Sequence, residues 1–265
     1  MKLSVVIPTY NNQATIEETL KSIVNQTFTD FEIIIVNDGS SDRTLAIINS
    51  FSESYTNIIV VNQNNQGPSK SRNNGAKIAK GDYLVFIDAD DKVEATYFEK
   101  AIKILDENPK LQLVYSDVEF FGVKNGKWKL PKFELVSFLG SNCIPIFAVL
   151  RTSVFKSLDG FDENIDFTED WELWIRIVSN YDSCVYKIEE SLYFYRKSAQ
   201  KTSLTDLQHV DMINDRALFY IYKKHYHLYQ QHNLGIIKLF RSKNYEHKYY
   251  NIWYKKIFYF FKKPK

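Results

Sequence analysis

Between residues 3 and 120 the chain alternates short, unbroken apolar runs with stretches whose apolar residues recur at helical spacing. Few folds accept that alternation. The runs LSVVIP, FEIIIVND, NIIVV, GDYLVFID and LQLVYSDVEFF read as strands. Between the first two, Ile16, Leu20, Ile23 and Val24 form a helical stripe; between the next two, Leu45 and Ile48 do so behind a cap at Ser40 or Ser41. A polar loop, NQNNQGPSKS, leads into another helical stretch. Phe98, Ala101, Ile102 and Leu105 mark an amphipathic helix stopped by Asn108-Pro109. Strands that are apolar at successive positions are covered on both faces. The pattern therefore predicts an α/β fold, with a mostly parallel central sheet and helices on both sides.

Past residue 120 the alternation weakens. VKNGKW reads as a turn between strands, EDWELWIRIV as a helix with Leu173, Trp174, Ile177 and Val178 inward, and CVYKIEESLYFYR as strand. Residues 131–168 show no clear period, and from about 206 the chain becomes helical and rich in aromatics. No internal repeat or low-complexity linker is present.

Charge is distributed unevenly. The last 30 residues, from Ile236, hold nine Lys or Arg against one acid, Glu246, a net of +8; with +2 overall, the rest of the chain carries −6. An acidic body argues against general nucleic-acid binding. The interleaved Lys, Tyr, Trp and Phe of YYNIWYKKIFYFFKK suit an anionic membrane surface. The two cysteines, Cys143 and Cys184, have no metal spacing and read as buried, reduced thiols. No apolar run reaches the ~20 residues of a membrane span, and the N-terminus has no signal-peptide pattern. The expected location is cytoplasmic, peripheral on the inner face of the cytoplasmic membrane.

In open α/β sheets, ligands bind at the carboxyl ends of the strands. Here those ends carry Pro8-Thr9-Tyr10-Asn11, Asn37-Asp38-Gly39-Ser40 and Asp88-Ala89-Asp90-Asp91, with Gln66-Gly67-Pro68 and Arg72 between them. Asp88 and Asp90 share one side of an extended segment, because side chains alternate with period two. Two such carboxylates suit a hard divalent cation, Mg²⁺ or Mn²⁺, that keeps positions for phosphate oxygens and water. Asp38 offers acceptors for a base or ribose and Tyr10 a ring for stacking. Together they outline a nucleoside diphosphate lying across the strand ends.

The ordered series VVIPTYNN, VNDGSSD, GPSKSRNNG, FIDADD and FTEDWELWIR resembles the inverting glycosyltransferases of family 2, over about residues 1–200. The resemblance implies a GT-A (Rossmann-like) fold with a helical, aromatic and basic C-terminal extension. It divides the chain into a nucleotide-sugar-binding half (1–110), an acceptor-binding and catalytic half (111–205) and the extension (206–265). It makes Pro8, Tyr10 and Asp38 uracil and ribose contacts, places Gly67 and Arg72 around the nucleotide sugar, and sets Asp88, with Ala89 beside it, near the ribose and sugar hydroxyls. Asp90 becomes the metal ligand and Asp170 the catalytic base. Asp91, Glu169, Trp171, Arg196, Ser198 and Lys201 are candidate diphosphate or acceptor contacts. Many family members carry a histidine just after the Tyr-Arg pair, where this chain has Ser198.

The implied activity is transfer of one sugar, hexose or N-acetylhexosamine, from a UDP-sugar to a glycan or glycolipid acceptor, such as a bacterial lipooligosaccharide or capsule. An oligomer is compatible with it. Two competitors differ in class. A sugar nucleotidyltransferase would need a Gly-rich, basic phosphate loop after its first strand, which is missing. A non-catalytic nucleotide- or glycan-binding scaffold of a synthase complex would have no need of Asp88, Asp90 and Asp170 together.

Overall fold

The apolar runs of the first half do form strands. The structure is a computed structural model that describes residues 1–165, 167–198 and 210–236. Strands β1 (Leu3–Thr9), β2 (Phe31–Asp38), β3 (Ile58–Gln63) and β4 (Tyr83–Phe86) run parallel in the order β3-β2-β1-β4. β1 and β2 pair from Leu3 opposite Phe31 to Thr9 opposite Asn37, so their carboxyl ends finish level. Every residue of β2 is buried, whereas β3 at the sheet edge is mostly half-buried.

Helices α1 (Ile16–Val24), α2 (Thr44–Ser52) and α3 (Pro68–Ile78) connect these strands. Two sequence expectations shift here. The helix after β2 starts at Thr44, whose N–H donates to Asp42 Oδ1 at 2.9 Å, so neither Ser40 nor Ser41 caps it. Those serines instead hold Asn11: Ser40 Oγ accepts from its N–H at 3.0 Å, and the Ser41 N–H donates to its side chain at 2.9 Å. The polar loop before α3 is also shorter than expected. Pro68 takes the first helical position, where a missing N–H costs nothing, so Ser69-Lys70-Ser71 are helical.

Beyond β4 the sheet becomes mixed. The elements are β5 (Lys92–Val93), α4 (Tyr97–Glu107), β6 (Leu113–Gly122), β7 (Gly126–Trp128), α5 (Leu135–Gly140), β8 (Val149–Arg151), α6 (Thr152–Ser157), α7 (Glu169–Asn180), β9 (Val185–Lys197), α8 (Val210–Lys224) and α9 (Tyr226–Gln231). The order continues β4-β8-β6-β9-β5; β8 is antiparallel to both neighbours, β6 and β9 are parallel, and β7 forms a hairpin with β6. The class is α/β as expected, with one parallel half and one mixed half.

α7 packs Leu173, Trp174 and Ile177 into the core. Glu172, on its other side, is fully buried and anchors the C-terminal helices. It accepts from Arg176 Nε at 3.0 Å and Lys224 Nζ at 2.9 Å, and lies 2.9 Å from His225 Nε2. Burial would raise its pKa, but the His225 and Arg176 contacts outweigh that and hold it at about 2. Asp162 ties Lys224 and the Tyr220 hydroxyl to the same place. Both cysteines are free and buried. Among the described residues no helix is long and apolar enough to cross a membrane. Lys201 and residues 237–265, nearly all of the basic tail, lie outside the described residues.

Candidate active site

The strand ends expected to bind a ligand do meet in one region, organised by two turns and one arginine. After β1, the Asn12 side chain accepts from the Tyr10 N–H at 2.9 Å and the Thr9 hydroxyl at 3.1 Å, which leaves the Tyr10 ring 50% exposed. Pro8 lies within β1, one residue before Thr9. After β2, Asp38 is buried and its carboxylate is occupied by the protein itself. Oδ1 accepts from Gln63 Nε2 and the Gln66 N–H, and Oδ2 from the Gly67 N–H, each at 2.8 Å. Asp38 thus shapes the turn into α3. Gly67 sits there at φ +86°, a conformation that disfavours any residue with a Cβ.

α3 carries Arg72, which is buried and bridges two distant acids. One terminal nitrogen donates to Asp88 Oδ1 at 2.8 Å and the other to Glu169 Oε1. Burial opposes the guanidinium charge, but Asp88 and Glu169 outweigh it and raise its pKa. The end of β4 is thereby tied to the first turn of α7. Neither the Arg72–Asp88 nor the Arg72–Glu169 link is legible from spacing, because their partners lie far apart in the chain.

Of the clustered aspartates, each has a different fate. Asp88 is half-buried against Arg72. Ala89 is buried, and its carbonyl accepts from the Thr15 hydroxyl at 3.0 Å. Asp91 is 2% exposed and fully engaged: Tyr193 donates its hydroxyl at 2.8 Å and Arg196 its backbone N–H at 2.7 Å. Arg196 also donates through Nε to the Asp90 carbonyl at 2.6 Å and forms an ion pair with Glu18. Part of the positive charge required by this cluster therefore comes from Arg72 and Arg196. Asp90 keeps a half-buried carboxylate with no salt bridge among the described residues; burial and then the Asp88 charge push its pKa up to about 6.

That arrangement fits a divalent cation. Among the described residues no three His, Cys, Asp or Glu side chains are placed to hold a metal ion by themselves, so these residues form no closed cage. Asp90, with Asp88 beside it, would hold the ion on one side and leave the rest of its shell to diphosphate oxygens and water.

Asp170 stands across the Arg72 bridge, in the first turn of α7. Its Oδ1 accepts from the Trp171 N–H at 2.7 Å and Oδ2 from Asn142 Nδ2 at 3.2 Å. The sequence leaves open whether the helix terminus or burial governs this acid. Burial wins: with the Glu169 charge it pushes the pKa to about 7, against the two hydrogen bonds and Arg72. Trp171 and Trp174 are both core residues, with their ring N–H groups on the Phe138 and Ile144 carbonyls at 3.1 and 2.9 Å. Ser198 is exposed at the end of β9. Next to Asp170 a cavity of about 370 Å³ opens between the β6–β7 hairpin, β9 and the segment before β8. A larger groove, about 820 Å³ between α4 and β9, contains none of the site aspartates.

Known proteins resemble this chain in sequence and in fold. Residues 4–172 match the model of Glycosyl transferase family 2. An uncharacterized glycosyltransferase of Haemophilus influenzae is 28% identical over 239 residues, 84% of this chain and 76% of its own length. The minor teichoic acid biosynthesis protein GgaB of Bacillus subtilis is 30% identical over 207 residues, 73% of this chain but 23% of that protein. The crystal structure of S. aureus TarS 1-349 in complex with UDP-GlcNAc superposes with a TM-score of 0.66 at 25% identity, over 75% of this chain and 59% of that one. The chain spans less than two thirds of that solved chain. Its fold is of the GT-A type, and with a family model matched over more than half its length the chain belongs to glycosyl transferase family 2.

Proposed function

We propose that the chain transfers a single hexose or N-acetylhexosamine from a UDP-sugar to a hydroxyl of a surface glycan or lipid-linked acceptor, with inversion and with Asp170 as base. One observation carries the reading. A carboxylate pushed up to about 7 stands in the first turn of α7, tied through Glu169 and Arg72 to the aspartates at the end of β4. A base near neutrality is matched to taking a hydroxyl proton at physiological pH.

The donor would lie across the strand ends, with its base beside Tyr10 and the turn braced by Asp38, and its diphosphate toward Asp88 and Asp90. Asp170 accepts the proton of the acceptor hydroxyl. The freed oxygen attacks the anomeric carbon on the face opposite the diphosphate. The bond from that carbon to the phosphate oxygen breaks, and UDP leaves with the electron pair. A divalent cation held at Asp90 would supply Lewis-acid neutralisation of the leaving diphosphate. Arg72 holds Glu169 and Asp88 at fixed positions, which on this reading would flank the sugar. The UDP-GlcNAc bound to TarS supports a uridine donor, and the similarity to a teichoic acid biosynthesis protein supports a cell-surface polymer as acceptor.

On this reading residues 1–110 bind the donor, 111–205 carry the base and the acceptor side, and 206–265 form an extension whose basic end, outside the described residues, docks on an anionic membrane. The test is UDP release from a panel of UDP-sugars without acceptor, with Mn²⁺ or with EDTA, alongside UDP titrations. Metal-dependent release from one donor is expected, and Asp90→Ala should abolish metal-dependent UDP binding. If wild type bound UDP but released none from any donor, with or without glycan, the scaffold reading would replace this one. Undiminished Mn²⁺-dependent affinity in Asp90→Ala would remove that residue as ligand.

A further inference from the structure

The cavity beside Asp170 has a second edge that the donor reading does not use. β6 and β9 pair in parallel, with Phe120 opposite Tyr195 and Phe121 opposite Arg196, and side chains alternate faces along each strand. Arg196 and Phe121 therefore share one face, where Arg196 lies 4.4 Å above the Phe121 ring and reaches Glu18 and the Asp90 carbonyl. Phe120, Tyr195 and Lys197 share the other face and line the cavity. The Lys197 amine lies 4.6 Å from the Tyr195 ring centre and 5.3 Å from that of Phe120. Lys124, from the hairpin turn, lies 5.2 Å from the same Phe120 ring. Neither lysine forms a salt bridge among the described residues.

Trp128 completes the wall. Its ring stacks on Phe120 at 5.4 Å and 14°, yet it is 45% exposed, so one aromatic face is supported and the other is open. An exposed, rigid aromatic plate beside a polar edge suits the apolar face of a sugar ring or the carbon chain of a polyol. The cavity thus offers the base at one edge, a flat aromatic wall between, and Lys197 at the other edge, with Lys124 beside the same wall at Phe120; among the described residues neither lysine has a carboxylate partner.

We propose that this cavity is the acceptor subsite and that it selects an anionic acceptor: a sugar or polyol unit stacked on Trp128, with its hydroxyl toward Asp170 and a phosphate or carboxylate held by Lys197 and Lys124. This rests on the reading of Asp170 as base. It adds to that reading the class of acceptor, which neither the aspartates nor the donor turn determine. Lys197 lies on the opposite face of β9 from Arg196, and Asp91, which also lines the cavity, is already occupied by the Tyr193 hydroxyl and the Arg196 N–H.

The experiment uses the full chain saturated with UDP and Mn²⁺. Three probes of similar length are titrated: a ribitol-phosphate oligomer, an oligogalacturonate and a neutral malto-oligosaccharide, read by calorimetry and by tryptophan fluorescence. At least one anionic probe should bind about tenfold or more tightly than the neutral one at low salt, the scale of two partly exposed charge contacts. That advantage should shrink on raising the salt, because exposed charges are screened. Lys124→Ala/Lys197→Ala should remove the advantage and leave UDP affinity unchanged, and Lys124→Arg/Lys197→Arg should keep it. Trp128→Ala should weaken all sugar or polyol probes together. The phosphate and carboxylate arms identify which anion is preferred.

Equal affinity for neutral and anionic probes overturns the proposal, as does a preference that survives the double alanine variant. Failure of both anionic probes to bind the UDP-saturated protein at millimolar concentration also overturns it. So does a double variant that loses UDP affinity, since Lys197 would then serve the donor. If the wild type does not bind UDP at all, the donor reading itself fails, and that result is distinguishable because it needs no acceptor.

Discussion

Asp170 and Glu172 sit within one turn of α7, and the regions they face push them in opposite directions. Glu172 is fully and Asp170 partly withdrawn from water, which on its own raises a carboxyl pKa. On the cleft side, Asp170 has hydrogen bonds from Asn142 and the Trp171 N–H, the like charge of Glu169 beside it and a share of one arginine, and it rises to about 7. On the rear side, Glu172 has Arg176, Lys224 and His225 around it and falls to about 2. The supply of cations decides the outcome, with burial common to both. An acid surrounded by cations holds two parts of the chain together. An acid that lacks them is left with a proton affinity near neutrality, which is what a general base requires. The same helix thus presents Asp170 to the cleft and is fixed from behind by α8 and the start of α9.

The largest effect that separates the two sides is on rate. Asp170→Asn should bind UDP and donor almost normally while transfer slows by at least ~100-fold, the usual scale for a lost general base. Donor titration together with acceptor turnover measures both, and an equally active variant would move the base elsewhere. Glu172→Gln should do the reverse. It leaves three basic groups facing a neutral amide in a buried place, a loss on the order of 3 kcal/mol or more in unfolding free energy. Chemical denaturation at pH 7 reads it, and the folded fraction should still turn over at low temperature. The stabilisation from Glu172 is present above its ordinary pKa of 4.5 and is lost as pH falls toward 2, so wild type and variant should converge in acid. A Glu172→Gln variant that lost rate with unchanged stability would break the division between the two faces.

How much of this was legible in the sequence follows from distance along the chain. β1, β2, β4 and α4 are plain because four or five apolar residues close together, or a stripe over three turns, carry their own signal. α5, β8 and α6 have only three to six residues each, too few to repeat a pattern, so the 131–168 region could not be divided. The aspartates announced themselves by being adjacent. Their partners did not: Arg72 reaches Glu169 across the fold, Arg196 and Tyr193 reach Asp91, and Glu172 gathers Lys224 and His225. Glu172 itself was hidden by its neighbours, since a single acid between apolar helix positions reads as a wet face. The cavity wall of Phe120, Trp128 and Tyr195 was likewise invisible, because cross-strand stacking depends on the β6–β9 and β6–β7 registers.

The smallest effect is the one that tests the comparison most directly. Asp170 has a native pKa of about 7 against an ordinary value of 3.8, so the folded chain holds a proton that the unfolded chain has released. Where the folded state binds more protons, stability falls as pH rises. The cost of keeping Asp170 ionised in its place is thus absent at pH 4, grows through the interval up to 7 and is complete above it. Asp170→Asn removes that cost but replaces a charged acceptor of the Trp171 N–H and Asn142 by a neutral one, so the two changes partly offset. The expected result is a gain of ~1–2 kcal/mol at pH 8, at about 1.4 kcal/mol per pKa unit and discounted for those weaker bonds. Paired denaturation curves at pH 8 and pH 4 measure it, with the variants otherwise identical. A gain at pH 8 that vanishes at pH 4 would mean that the rate and the stability are traded at one carboxylate. A loss at pH 8 would mean that Asp170, like Glu172, holds structure together, and that the difference between the two faces of α7 is one of degree.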